Sequence, residues 1–191
     1  MKPTTFINAC ILVCASQYCQ AEPLFPLEPG LFWEYEVSGS KPEKVVNGIA
    51  NSITINDITW YIMFEYDEIF IIRNGELGQM EAAPLFDKDG KSTGKHREFL
   101  VFKYPVTIGE SYLSNDQKVT VEKKHTVSTP AGSFECIVYN IDLGNGDYSR
   151  SCIKVGVGII INEFMSDNKL IISRLKRFGL LEPKDKKTPA R

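Results

Sequence analysis

The side chains best able to do chemistry in this 191-residue chain are its five cysteines, two histidines and 24 carboxylates, and their spacing decides what they can do. A nucleophilic Ser, Cys or Thr needs a supporting base and a group that orients that base. Only His96 and His125 are available. His96 sits in the polar stretch "GKHREF" and His125 in "KKHTV", a strand face beside two lysines, and a surface or half-buried structural role accounts for both. There is no Gly-x-Ser-x-Gly elbow and no glycine-rich phosphate loop of the Walker type. Two histidines 29 positions apart give no zinc spacing. "DKDG" at Asp87 to Gly90 shares a few residues with a calcium loop but lacks its third carboxylate and terminal Glu, so it reads as a solvated turn. No cofactor or metal set emerges, and a non-enzymatic protein is expected.

Paired carboxylates are the remaining catalytic option, since a glycosidase holds two of them about 5 to 9.5 Å apart. Glu34 and Glu36 alternate with Trp33, Tyr35 and Val37, which reads as the wet face of a strand whose other side is core. Glu65 lies close to Asp67 and Glu68. A hydrolase built on Glu65 and Asp67 is a minor alternative, and it requires raised carboxylate pKa values in a shared cleft. The aromatic residues offer a different chemistry. Trp33, Trp60, Phe64 and Phe102 are candidates to line a cavity for an apolar ligand, although barrels of this size mostly fill themselves with such side chains.

The elements that must position these residues begin after a secretory signal. Residues 1–21 carry one positive charge at Lys2, an apolar run from Phe6 to Ala15, and small residues at 19 and 21, which places the cut after Ala21. The alternative is a lipoprotein anchored through Cys14, against which stands the branched Val13 just before it. The apolar run is too short to span a bilayer, which takes about 20 apolar residues, and no later segment supplies a transmembrane helix. Cleavage leaves 170 residues, enough for one domain with a real core. The cut removes Lys2 and no acid, so 21 basic face 24 acidic groups and the formal charge is −3. Nothing in that balance suggests nucleic acid, which would need a concentrated basic face, and no nucleic-acid partner is expected. Cys10, Cys14 and Cys19 leave with the signal, so Cys136 and Cys152 remain as a pair in an oxidising compartment and are expected to form a disulfide.

From Leu24 onward, short alternating or β-branched runs are separated by Gly, Asn, Asp and Pro, the pattern of an all-β domain over 22–181. Ten strands are expected, at 31–37, 45–55, 59–66, 69–73, 99–102, 118–128, 134–142, 148–154, 159–164 and 170–178. Asn56-Asp57, Asn74-Gly75, Asn145-Gly146 and Asp167-Asn168 supply hairpin turns, since these residues tolerate positive φ. Residues 81–98 are polar and interrupted by Pro84, Gly90 and Gly94, so they read as a long mobile flap that could act as a lid. The tail 182–191 has no apolar anchor except Ala190 and is expected to be disordered. The fold class is therefore a curved antiparallel meander closing partly or fully into a barrel, with a β-sandwich as the alternative.

Three ordered segments resemble a group of poorly characterised exported bacterial β-rich proteins. "LFPLEPGLFWEYEV" at 24–37 is similar to that group's opening PLxxGxxWxY strand. "FKYPVTIGESY" at 102–112 is similar to its YPxxxGxxW midpoint, with Tyr112 in place of Trp. "TPAGSFECIVY" at 129–139, running into "CIKVGVGIIINEF" at 152–164, resembles PAGxF followed by GVGxV. The resemblance implies a periplasmic or outer-membrane-associated protein without catalytic residues. Cys152 stands where the group commonly has an aromatic, which makes the disulfide a local addition.

Within these motifs Pro29-Gly30, Ile108-Gly109 and Pro130-Ala131-Gly132 turn the chain, and Gly156 and Gly158 permit a bulge or a close approach. In the strand after Gly132, Phe134, Cys136, Val138 and Asn140 share one face and Glu135, Ile137, Tyr139 and Ile141 the other, so neither face is purely polar and the strand is expected to be central. A two-residue turn at Asn145-Gly146 gives pairs whose positions sum to 291, whereas a bridge between directly opposed cysteines requires 288, so the connection must be longer or bulged. The functional expectation is a non-enzymatic periplasmic domain that binds an envelope protein or an apolar ligand. A lipid-carrier-like half barrel is the alternative.

Overall fold

The computed structural model describes residues 22–39, 41, 43–86 and 91–181. The signal segment, the 182–191 tail and Asp87 to Gly90 lie outside the described residues. Twelve strands form: β1 (Leu31–Ser38), β2 (Lys44–Ile55), β3 (Ile58–Glu65), β4 (Glu68–Gly75), β5 (Gly78–Phe86), β6 (Ser92–Lys103), β7 (Ser111–Ser114), β8 (Gln117–Thr129), β9 (Gly132–Gly144), β10 (Asp147–Lys154), β11 (Gly158–Ser166) and β12 (Lys169–Leu180). They make one antiparallel sheet in the order β6-β5-β4-β3-β2-β1-β12-β11-β10-β9-β8-β7, curled into a nearly closed barrel. The described residues contain no helix. A single continuous sheet rules out the sandwich.

The turn chemistry accounts for much of this meander. Asn56-Asp57, Asn145-Gly146 and Asp167-Asn168 all have positive φ, between 50° and 88°, as two-residue hairpin turns require. Asn74-Gly75 does not act this way. Both residues belong to β4, Gly75 pairs with Gly78, and the chain reverses one step later at Glu76-Leu77. The expected 81–98 flap is also overturned, because its described residues other than Lys91 belong to β5 and β6, paired from Gly78↔Lys103 out to Phe86↔Ser92.

Alternation fixes which side chains enter the barrel. Trp33, Tyr35 and Val37 of β1 face inward beside Asn47 and Val45 of β2, and Met63 of β3 pairs with Phe70 of β4 on the same face. One core cluster gathers Trp33, Tyr35, Ile49, Ile72, Cys136 and Leu175; the other gathers Leu24, Phe25, Phe102, Val121, Tyr139 and Ile153. β9 contributes to both, Cys136 and Val138 to the first and Ile137 and Tyr139 to the second, which explains why neither of its faces is polar.

No ladder joins β6 to β7 among the described residues; side chains close the seam. The Tyr112 hydroxyl donates to the Val101 carbonyl at 2.9 Å and accepts from the Lys103 amide at 3.0 Å. The Tyr139 hydroxyl donates to the Lys103 carbonyl at 2.7 Å. Burial pushes the Tyr112 phenol up to about 12 and raises Tyr139 as well, so both remain protonated donors. Lys103 with Glu110, and Arg97 with Asp116 at 3.5 Å, add ion pairs across the same seam.

A strap from Glu22 to Gly30 closes one end. Its Pro23 carbonyl accepts from the Gly156 amide at 3.0 Å and its Phe25 carbonyl from the Asn74 side chain at 2.8 Å. Phe25 enters the barrel and stacks on Phe102, with ring centroids 5.9 Å apart. Gly158 has φ +104°, and a Cβ there would stand 3.0 Å from the Phe25 ring and 3.3 Å from the Trp33 indole nitrogen. The close approach expected of the GVG segment is therefore real, and the strap and Trp33 are what approach.

The Cys136–Cys152 disulfide forms, with Cα atoms 5.5 Å apart. A bulge between Asp147 and Tyr148 moves the register by one, so Cys152 lies opposite Val138. Position sums are therefore 290, and the bridge runs diagonally between neighbouring strands instead of joining directly opposed residues. The bulge was foreseen; a full shift to 288 does not occur.

Candidate functional site

Inside the barrel the β3–β6 half and the β9–β11 half enclose a cavity of about 200 Å³. Met63, Phe70 and Ile72 form one apolar wall, Ile141 and Ile159 another, and Phe25 and Phe102 stand at the strap end. Six polar residues that do not belong in an oily core share this space: Glu65, Gln79, Glu81, Ser149, Ser151 and Asn162. They arrive there by alternation. Gln79 and Glu81 are two apart on β5, and Glu81 pairs with the inward-facing Ile72, while Ser151 of β10 pairs with Asn162 of β11 on the opposite half.

The electrostatics are unusual because the carboxyl groups lack a counter-charge. The cavity lining includes no Lys, Arg or His. Burial raises the Glu65 carboxyl; a hydrogen bond from Asn47 opposes this and the Glu68 charge adds to it. Burial, reinforced by the charges of Glu65 and Glu68, raises Glu81 from 4.5 to about 7. Asn162 is better served, its side-chain oxygen accepting from Ser149 at 3.3 Å and Ser151 at 3.0 Å. Gln79 is 3% exposed. The buried side-chain atoms left without a hydrogen-bond partner among the described residues lie elsewhere, at Trp60 Nε1, Arg73 Nε, Asn140 Oδ1 and Arg150 Nε. A larger hollow of about 580 Å³ lies against the strap and the β4–β5 turn, lined by Glu22 to Leu24, Asn74 to Glu76, Gly78, Tyr104 and Pro105.

The residues singled out by sequence are distributed differently. Phe102 lines the cavity. Trp33 faces inward but seals the strap end, its indole nitrogen donating to the Val157 carbonyl at 2.6 Å. Trp60 and Phe64 alternate with the inward Met63 and Glu65 and so point outward, which removes them from any interior lining. Trp60 is nevertheless fully buried, under the Arg73 guanidinium at 4.9 Å and the edge of His96. Asp67 lies in the exposed β3–β4 turn, so the expected Glu65 and Asp67 pair does not share a cleft; Glu81 takes the second place.

Glu34 also departs from the wet-face expectation. It is 3% exposed, covered by Arg177 at 2.6 Å, Lys44 at 3.2 Å and Lys176 at 3.8 Å. The Arg177 hydrogen bond leads in holding its carboxyl below the usual range, while Glu36 stays exposed as expected. His96 reaches Glu98 at 3.4 Å, and His125 is exposed on β8. No group of three or more His, Cys, Asp or Glu among the described residues could hold a metal ion. No helix among the described residues is long and apolar enough to cross a membrane.

No protein-family model matches the chain, and no curated protein does. Two solved structures are similar in fold. One is a candidate lipoprotein from Parabacteroides distasonis, 11% identical, with 83% of this chain and 99% of that chain covered and a TM-score of 0.45. The other is a candidate exported protein with a YmcC-like fold from Bacteroides fragilis, 13% identical, covering 81% and 98%, with a TM-score of 0.40.

Proposed function

We propose that this chain is an exported, non-enzymatic binding domain whose barrel interior takes a small ligand with an apolar body and a polar head. The observation that carries the reading is the set of Gln79, Glu81 and Glu65, which line a cavity with apolar walls and no cationic side chain. A few placed polar groups in a mostly apolar cavity are how small-molecule sites fix orientation. The signal sequence at residues 1–21 supports export.

The other readings have less support. A carboxylate-dependent hydrolase needs two acids whose environments push their pKa values apart, one to hold a proton and one to lose it. Here Glu65 and Glu81 are raised together by the same cause, burial, and neither is paired with a cation. A lipid carrier needs room for an acyl chain, and about 200 Å³ falls below the roughly 300–1,000 Å³ typical of sites for drug-sized ligands. The cavity suits a guest of a few heavy atoms, since an engineered cavity of about 150 Å³ holds benzene.

The probe for this reading is 1-pentanol, followed by methyl NMR. Saturable shifts are expected at Met63, Ile72 and Ile141, which line the cavity, and their loss in Ile141→Trp, which fills it. Shifts confined to the outward Ile69 and Ile71, or none at all, would remove the interior site.

A further inference from the structure

The hydrogen-bonding inventory of the cavity narrows the ligand's chemistry, an inference that rests on the interior site proposed above. Ionised carboxylates only accept, and Glu65 and Glu81 bring two of them into a space lined by no cationic side chain. The Ser149 and Ser151 hydroxyls already direct their hydrogens to Asn162. Gln79, on the same face of β5 as Glu81 and two residues before it, adds an amide that both accepts and donates. The amides of Gln79 and Asn162 donate as well as accept, but the ionisable side chains that line the site are all acidic. A ligand that completes it brings donors and positive charge to Glu81 and Gln79 and lays an apolar chain along Phe70 and Ile72.

We propose that the cavity takes a small organic ammonium, a protonated amine on a short apolar chain, with its N–H donors held by Glu81 and the Gln79 carbonyl and with the Glu65 carboxyl lining the same space. An ammonium brings three donors and a positive charge to two carboxyl groups that no cationic side chain faces. Acidic groups from the packed elements reinforce the preference. Glu65 on β3 and Glu68 on β4 act on Glu81, whereas the facing segments of β9, β10 and β11 contribute Ile141, Ser149, Ser151 and Asn162, none of them charged. Glu81 releases its proton near neutrality, so it accepts an ammonium above that pH and is neutral below it.

The test is calorimetric titration of the whole exported chain with three probes of equal length: pentylammonium chloride, 1-pentanol and sodium pentanoate. Pentylammonium is expected to bind about tenfold more tightly at about pH 8 than at about pH 6, following ionisation of Glu81. Pentanol should bind equally at both, and pentanoate should bind least at the higher pH. In Glu81→Gln, which keeps the shape and removes the charge, the pH dependence for the amine should vanish and its affinity at about pH 8 should fall about tenfold. If pentanol binds and pentylammonium is no tighter at the higher pH, or pentanoate binds best, the ammonium is wrong and the interior site stands. If none of the three binds, the interior site fails, and the ammonium with it.

Discussion

Trp33→Ala is expected to destabilise the protein by about 4 kcal/mol, read as a shift in the urea unfolding midpoint at unchanged slope. Trp33 is 3% exposed at the strap end of the barrel, where its ring meets Gly158 and its indole nitrogen donates to the Val157 carbonyl. Truncation removes a large buried side chain, opens a void and leaves a carbonyl without its donor, and each of these costs free energy in the same direction. The neighbouring Gly158 has no side chain to fill the space. Trp33→Phe should cost roughly half as much, because it keeps most of the ring and loses only the hydrogen bond and the residual volume. A loss below about 1 kcal/mol for Trp33→Ala would mean that this end of the barrel is not closed as described.

The second large effect is at the disulfide. Replacing both Cys136 and Cys152 by Ala should cost about 3 kcal/mol, since the bridge closes a loop with a sequence separation of 16. For a domain of this size that corresponds to a melting temperature lower by about 6–12 °C. The cysteines are 2% and 6% exposed, so a reductant should act only on molecules that have opened locally. Fast reduction under native conditions, with no change in melting temperature, would contradict this.

Alternation and turn residues made most of the sheet legible in the sequence, and the failures have physical causes. β5 and the first half of β6 read as a flap because Pro84 and a run of charges interrupt them. The ladder between β4 and β5 stops at Ile72↔Glu81, so beyond Glu81 only β6 pairs with β5 and the missing amide of Pro84 costs no bond on the open side. β7 has only four residues, Ser111 to Ser114, too few for a period to show. Its turn, Asn115-Asp116, has φ values of 47° and 68° and was the available signal.

The site was harder to read, because sequence patterns assign polar residues to the wet face. Along "GQMEAAPLF" it is Gln79 and Glu81 that turn inward, while Met80 and Ala82 turn out. The same inversion places Trp60 and Phe64 outside. Nothing within a single strand distinguishes the two faces when both carry apolar residues; only the pairing with Ile72 and Met63 does. Glu65 was visible as one of a cluster of carboxylates, but its partner in the cavity, Glu81, lay in the segment taken for a flap.

The central claim is that the barrel interior holds carboxyl groups without a counter-charge, and the most direct measurement compares the stability of the natural chain and of Glu81→Gln across pH. Between 4.5 and about 7 the folded chain keeps the Glu81 proton that the unfolded chain has lost, so the unfolded state binds fewer protons and stability falls as pH rises through this window. Allowing for partial solvent access to the side chain, the loss should reach about 2 kcal/mol. Glu81→Gln, which has no proton to release, should therefore be the more stable of the two by about that amount near pH 8, and the difference should shrink by about 2 kcal/mol on going to about pH 4. Stability curves that run parallel from about pH 4 to about pH 8 would show that Glu81 titrates as an ordinary surface carboxylate, and the interior site as described here would not exist.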